Sequence, residues 1–178
     1  MTVRGIHLLG SPVLREAGPP VGVVDDEVRQ FVADLFETMA AAHGVGLAAN
    51  QVGVARRIAV VDAEGERFAM INPRIVEASG KDTAEEGCLS IPEYFAEVTR
   101  PERVILEALD EHGVRFRREL AGLPARAVQH EIDHLDGILF LDHLSLLKRQ
   151  RLLAKWKKEH AGDTSYVLPP QTAEAGSS

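Results

Sequence analysis

Two histidines four residues apart, in Gln129-His130-Glu131-Ile132-Asp133-His134-Leu135, constrain this chain more than any other feature. On an α-helix, residues four apart project from one face, one turn above the other, so both imidazoles can reach a single ion. The segment is therefore expected to be a helix. Glu131, beside His130 and three residues before His134, is placed where a water next to that ion would sit. The H-E-x-x-H pattern points to metal-dependent hydrolysis but supplies only two protein ligands. The sole cysteine, Cys88 in Glu86-Gly87-Cys88-Leu89-Ser90, is the candidate third. Alone, each feature has a bland reading: a lone cysteine is most often a small buried hydrophobe, and a bare H-E-x-x-H can be a surface helix.

A third segment, Gly44-Val45-Gly46-Leu47-Ala48-Ala49-Asn50-Gln51, carries two glycines, small residues and two amide side chains. Glycines there let the backbone approach a ligand closely or take a positive φ. A phosphate loop is the obvious rival, but no Gly-Lys-Ser/Thr follows. G-V-G-L-A-A-N-Q, E-G-C-L-S and Q-H-E-I-D-H-L, in this order, resemble the three motifs of the peptide deformylases. The likeness extends from Gly10-Ser11-Pro12-Val13-Leu14-Arg15 through Leu144-Ser145 into the helix beyond, over residues 4–160.

A thiolate from Cys88 with His130 and His134 leaves one position open on a tetrahedral ion, which is what separates a catalytic site from a structural one. On softness and geometry that ligand set suits Zn²⁺; the resemblance implies Fe²⁺ physiologically, with Zn²⁺, Ni²⁺ or Co²⁺ able to take the same ligands. It also implies hydrolysis of the N-formyl group from the initiator methionine of nascent polypeptides, releasing formate. Glu131 would serve as base and then acid. The Gln51 amide and the Leu89 backbone N–H would be the oxyanion donors. Val45, Gly46, Leu123, Ala127 and the helix face at His130 are the expected wall of a methionine pocket, and backbone groups of Gly46 and Gly87 could pair with the substrate chain. Pro92-Glu93-Tyr94-Phe95-Ala96 is expected to shape outer subsites. Glu86 and Asp133 are candidates for orienting ligands through hydrogen bonds, with surface salt bridges as the alternative. Ser90 reads as a turn or cap hydroxyl. Arg126 is left out of the site, expected to point away from the pocket and pair with an acid. Two rival classes are a zinc endopeptidase of the H-E-x-x-H type and a catalytically silent, ribosome-associated metal-binding module.

At 178 residues, 45% hydrophobic and 26% charged, the chain suits one ordinary core. A single catalytic domain over residues 1–162 is expected, with 163–178, rich in Thr, Pro, Gln, Gly and Ser, as a mobile tail. No apolar run is long enough to span a membrane and no secretion signal is evident, so the reading is a cytoplasmic protein. A thiolate ligand fits that reducing compartment. The formal net charge of −7 argues against a general nucleic-acid binder.

The expected fold class is α+β: small mixed or antiparallel sheets around a central metal-binding helix, with an N-terminal and a C-terminal helix. Gly10 to Gly22 reads as extended and irregular. A helix capped by Asp25 or Asp26 follows, with Val28, Phe31, Val32, Leu35, Phe36 and Met39 as its buried stripe, ending at Gly44. Ile58 to Val61 and Phe68 to Ile71 read as strands, the second closed by Asn72-Pro73. Val104 to Leu109 and Val114 to Leu120 flank Asp110-Glu111-His112-Gly113 as a hairpin. Gly122-Leu123-Pro124 opens the metal-motif helix and Gly137 stops it. Leu139-Phe140-Leu141 reads as a last strand. Ser145 then caps a helix bearing Lys148, Arg149, Arg151, Lys155, Lys157 and Lys158, a local basic patch that is either a solvated face or a dock for the ribosome.

Overall fold

In the computed structural model, which describes residues 2–170, the elements in order are β1 (Ile6–His7), α1 (Asp26–Ala41), β2 (Gly46–Ala48), β3 (Ile58–Ala63), β4 (Glu66–Ser79), β5 (Asp82–Cys88), β6 (Ile91–Arg100), β7 (Arg103–Leu109), β8 (Arg115–Ala121), α2 (Gly122–Leu135), α3 (Leu146–Glu159) and β9 (Val167–Leu168). A five-stranded antiparallel sheet runs β2-β3-β4-β7-β8, and two smaller pairs, β5-β6 and β1-β9, complete the strands. The architecture is the α+β arrangement expected, with every strand pair antiparallel among the described residues.

Alternation along the strands sets the layers, because successive side chains of a strand point to opposite faces. From β3, Ile58 and Val60 pack on the α1 side with Val28, Leu35 and Met39, while Ala59 and Val61 face α2 with Val128 and Leu135. Strand β4 does the same with Ala69 and Ile71 against Phe68 and Met70. Both faces are thus covered, which is why these strands read as continuous apolar runs. Asp25 starts α1 by accepting a hydrogen bond from the Val28 N–H at 3.0 Å, and α1 ends at Ala41, ahead of Gly44. A third apolar cluster gathers the β5-β6 hairpin, Leu139 to Leu141 and Trp156 of α3. Truncating a fully buried leucine such as Leu35 to alanine would cost about 2–5 kcal/mol.

Three expectations are corrected and one omission is filled. Asn72-Pro73 does not close β4. Asn72 takes φ +49 and its side-chain amide holds both the N–H and the carbonyl of Val21, at 2.8 and 2.9 Å. Asparagine tolerates that left-handed backbone, so the strand bends there and transfers its pairing from β3 to β7. Leu139-Phe140-Leu141 is not a strand: Phe140–His143 forms a 3-10 turn, with Asp142 accepting from the Leu139 N–H at 2.9 Å and paired to Arg15. Three consecutive buried apolar residues look the same in either state when the surroundings cover every side. Strands β5 and β6 were not read from the sequence at all. Finally, within the stretch expected to be a tail, Val167–Leu168 pairs with β1, while 171–178 lie outside the described residues. No helix among the described residues is long and apolar enough to cross a membrane.

Candidate active site

Helix α2 delivers both histidines to one point, and the end of β5 delivers the thiol. The Nε2 atoms of His130 and His134 lie 3.1 Å apart, and the Cys88 Sγ is 3.3 Å from His134 Nε2. One donor atom from each of the three lies within 4.8 Å of the others. Two imidazole nitrogens and a sulfur turned toward one another have no proton arrangement that satisfies all three as well as a shared cation does. The donor set fits a first-row divalent ion. His134 is 1% exposed and its Nδ1 is buried with no partner. His130 is oriented differently: its Nδ1 lies 2.9 Å from Glu86 Oε1, which leaves Nε2 as the atom available to a metal ion.

Glu86 is the hub of a buried charge network. Besides His130, its carboxylate accepts from Arg100 Nε at 2.6 Å, Arg100 Nη2 at 2.9 Å and Arg126 Nη1 at 2.5 Å. Burial alone would push this acid up; the His130 and Arg100 hydrogen bonds and the Arg100 charge outweigh it and bring the pKa down to about 2. Glu86 therefore remains a carboxylate and can hold the His130 ring. Arg126 does pair with acids, as expected, and also donates to the carbonyls of Val98 and Asp82, but it lines the cavity as well. Asp133 touches neither ligand ring. It accepts from Arg100 Nη1 at 2.9 Å and lies 2.7 Å from His143 Nε2.

Gln51 sits in the 3-10 turn Ala49–Val52 that follows β2, 1% exposed. Its Oε1 accepts from the Ala48 N–H at 2.9 Å, and that fixes which way the amide points. The NH₂ end is left to donate to Ser90 Oγ at 3.1 Å, with Cys88 Sγ at 3.6 Å. Ser90, fully buried, is thus the support of Gln51 and more than a turn hydroxyl. Asn50, next to Gln51 in the same turn, donates to the His134 carbonyl and ties this turn to α2. Asn50, Ser90 and Arg100 are the members of the site that sequence reasoning missed. Two of them lie inside the quoted motifs, where their presence was the available signal, whereas Arg100 had none.

Glu131 is 3% exposed, and its Oε2 is buried without a hydrogen-bond partner. Burial pushes its carboxyl up to about 7. The backbone of β2 passes directly beneath it: a Cβ placed on Gly46 would come within 2.8 Å of Glu131 Oε1. Only glycine leaves room for the acid. A cavity of about 500 Å³ opens above these groups, lined by Cys88, His130, Glu131, Gln51, Leu89, Val45, Gly46, Gly87, Leu123 and Ala127. His134 stands behind that lining. The outer wall comes from Pro92, Glu93, Tyr94 and Phe95 of β6, and the exposed rim is apolar, with Val45 at 43%, Leu123 at 39% and Phe95 at 63%.

Residues 3–150 match the family described as polypeptide deformylase. The chain belongs to that family. It is 48% identical over 162 residues to a peptide deformylase of Alkalilimnicola ehrlichii, covering 89% of this chain and 91% of that protein. A peptide deformylase of Brucella suis is 49% identical over 164 residues, covering 89% and 94%. Among solved structures, a peptide deformylase of Ehrlichia chaffeensis in complex with actinonin superposes with a TM-score of 0.87 at 41% identity, covering 90% of this chain and 99% of that one. Membership makes this chain a metal-dependent hydrolase and disfavours both the endopeptidase and the silent-module readings.

Proposed function

We propose that the cavity receives the formylated N-terminus of a nascent polypeptide and that Glu131, Gln51 and Leu89 carry out removal of the formyl group as formate. Cys88, His130 and His134 would hold one Fe²⁺, with Zn²⁺, Ni²⁺ or Co²⁺ as substitutes. When bound, that ion supplies Lewis acidity, polarising the formyl oxygen and making a nearby water easier to deprotonate. Glu131, whose side chain lines the cavity, takes a proton from the attacking water. As the carbonyl carbon becomes tetrahedral, the Gln51 amide and the Leu89 N–H donate to its oxyanion. Glu131 then gives its proton to the amine nitrogen, and the C–N bond breaks to leave formate and a free α-amino group. Burial favours the protonated carboxyl of Glu131 and an adjacent cation would favour the carboxylate, opposing pulls that suit a group which must both accept and return a proton.

The observation that carries this reading is the buried Glu131 carboxyl lining a cavity beside three converging atoms able to bind a metal. Methionine selection follows from the apolar wall of Val45, Leu123 and Ala127, which favours an unbranched thioether. Residues 1–162 carry every catalytic and metal-binding group of this one domain, and the protein works in the cytoplasm. The basic helix α3, with Lys148, Arg151, Lys155, Lys157 and Lys158 exposed, docks on ribosomal RNA. Trp156 of α3 is buried in the third apolar cluster, so charge reversal at Arg151 and Lys155, not deletion of the helix, is the suitable test of ribosome pelleting.

The deciding assay is formate release from a formyl-Met peptide by Fe²⁺-loaded protein shielded from oxygen. No formate above a Glu131→Ala control overturns the proposal. Cleavage of an unformylated internal peptide in parallel would favour the endopeptidase instead.

A further inference from the structure

Leu168 and Pro169 line the same cavity as Cys88, His130 and Glu131. They come from the far C-terminal end of the described chain, where β9 pairs with β1 in the register Ile6 to Leu168 and His7 to Val167. The Leu8 N–H extends that ladder by donating to the Tyr166 carbonyl at 2.6 Å. The seat for this strand is built by two glycines. A Cβ on Gly5 would meet Val167 Cγ1 at 2.8 Å and the Leu168 carbonyl at 3.1 Å. At Gly10, φ is +104 and a Cβ would lie 2.8 Å from the Tyr166 ring. Side chains at either position would push the strand away. The family model matches residues 3–150, so β9 lies outside that matched segment.

We infer that this C-terminal strand is a wall of the substrate cleft, and that Leu168 and Pro169 contact the nascent peptide beyond its formylated methionine. The inference rests on the deformylase reading. The ligand atoms and Glu131 commit the formyl group to one place, and the α2 residues Leu123 and Ala127 supply the wall for the first side chain. Leu168 and Pro169 enter from the β1 side, next to Ile6, and so border a different part of the cavity. Proline has no N–H to continue the ladder, so pairing stops there and its ring is presented as apolar surface. The ligand class is an extended peptide of three or more residues with apolar side chains after the methionine.

The test compares the full chain with a chain ending at Thr164 and with Leu168→Asp, each metal-loaded, on formyl-Met-Ala and formyl-Met-Ala-Phe-Leu. Loss of one leucine-sized contact should raise KM for the tetrapeptide about fivefold while kcat, and all constants for the dipeptide, stay within about twofold. Equal KM values across the three proteins overturn the inference. So does improved turnover on truncation, which would mark the strand as an obstruction, and so does an equal loss on both peptides, which would mark it as structural support only. If the truncated chain unfolds, Leu168→Asp, a half-exposed position, carries the comparison. If no form releases formate, the deformylase reading itself has failed. Anisotropy of a dye-labelled tetrapeptide then decides the strand separately, with unchanged Kd in Leu168→Asp overturning it.

Discussion

Gly46→Ala isolates the placement of Glu131, the proposed base, from every other property of the site. Gly46 lies in β2 opposite Val61 with an ordinary extended backbone, so alanine costs nothing in φ. Its methyl, however, would sit 2.8 Å from Glu131 Oε1, 2.9 Å from Cγ and 3.0 Å from Cδ, where ordinary contact begins at 3.4 Å. The carboxylate must retreat by more than half an ångström. A displacement of that order in a reacting group costs about 10²-fold in rate, equivalent to ~2.7 kcal/mol of barrier. Stability should move little, because alanine lowers the entropy of the unfolded chain by roughly 0.5–1 kcal/mol and offsets the crowding. Metal content should stay at the wild-type level, since Glu131 is not a ligand. Formate release, metal analysis and thermal melting measure the three quantities. The methyl could instead block substrate, and a double-mutant cycle separates the cases: in a Glu131→Ala background Gly46→Ala should cost less than about threefold. The same loss in both backgrounds would refute the reasoning.

Gln51→Ala should lower kcat about 10²- to 10³-fold with KM nearly unchanged, the pattern of a donor used mainly in the transition state; a loss confined to KM would contradict this. His134→Ala should abolish stoichiometric metal binding, and chelation of the wild type should both stop formate release and lower the melting temperature, because an ion that binds only the folded chain stabilises it. A wild-type melting temperature indifferent to chelator would count against the three-ligand site. Asp34 supplies a pH test away from the metal. Burial raises its pKa, but hydrogen bonds from the Thr2 N–H, Gln30 and Arg4, with the Arg4 charge, hold it below its ordinary value of 3.8. Its contribution to stability is therefore complete above that value and is lost as pH falls through the lower folded one. Urea titrations should show Asp34→Asn closing the gap to wild type in that acid window, and a gap that instead widened there would be inconsistent.

Legibility in the sequence varied with how local the cause was. Helices α1 and α2 were readable because their period, caps and stops lie within each segment: Asp25, the apolar stripe, Gly137. The β5-β6 hairpin was not, since Asp-Thr-Ala-Glu-Glu-Gly-Cys has neither alternation nor strong β propensity. That strand is held by distant partners, with Arg126 reaching Asp82 and Glu86, and Arg100 reaching Glu86. Strand β9 escaped for a related reason. A short run, Tyr166-Val167-Leu168, followed by two prolines and a polar stretch, reads as a tail until Gly5 and Gly10 provide it with a seat.

The sequence by itself determined the chemical parts: which atoms can bind a metal, which acid stands beside them, and, through three ordered motifs, the family. Spacing along one helix suffices for His130, Glu131 and His134, because 3.6 residues per turn place them without reference to anything else. Only the tertiary structure decided how those parts are held. The thiol arrives from another sheet, Glu86 binds His130 across 44 positions of chain, and Ala48 sets the direction of the Gln51 amide. The same holds for the cavity's far wall, where β9 pairs with β1. Such contacts depend on the packing of elements against one another, and no local pattern encodes that.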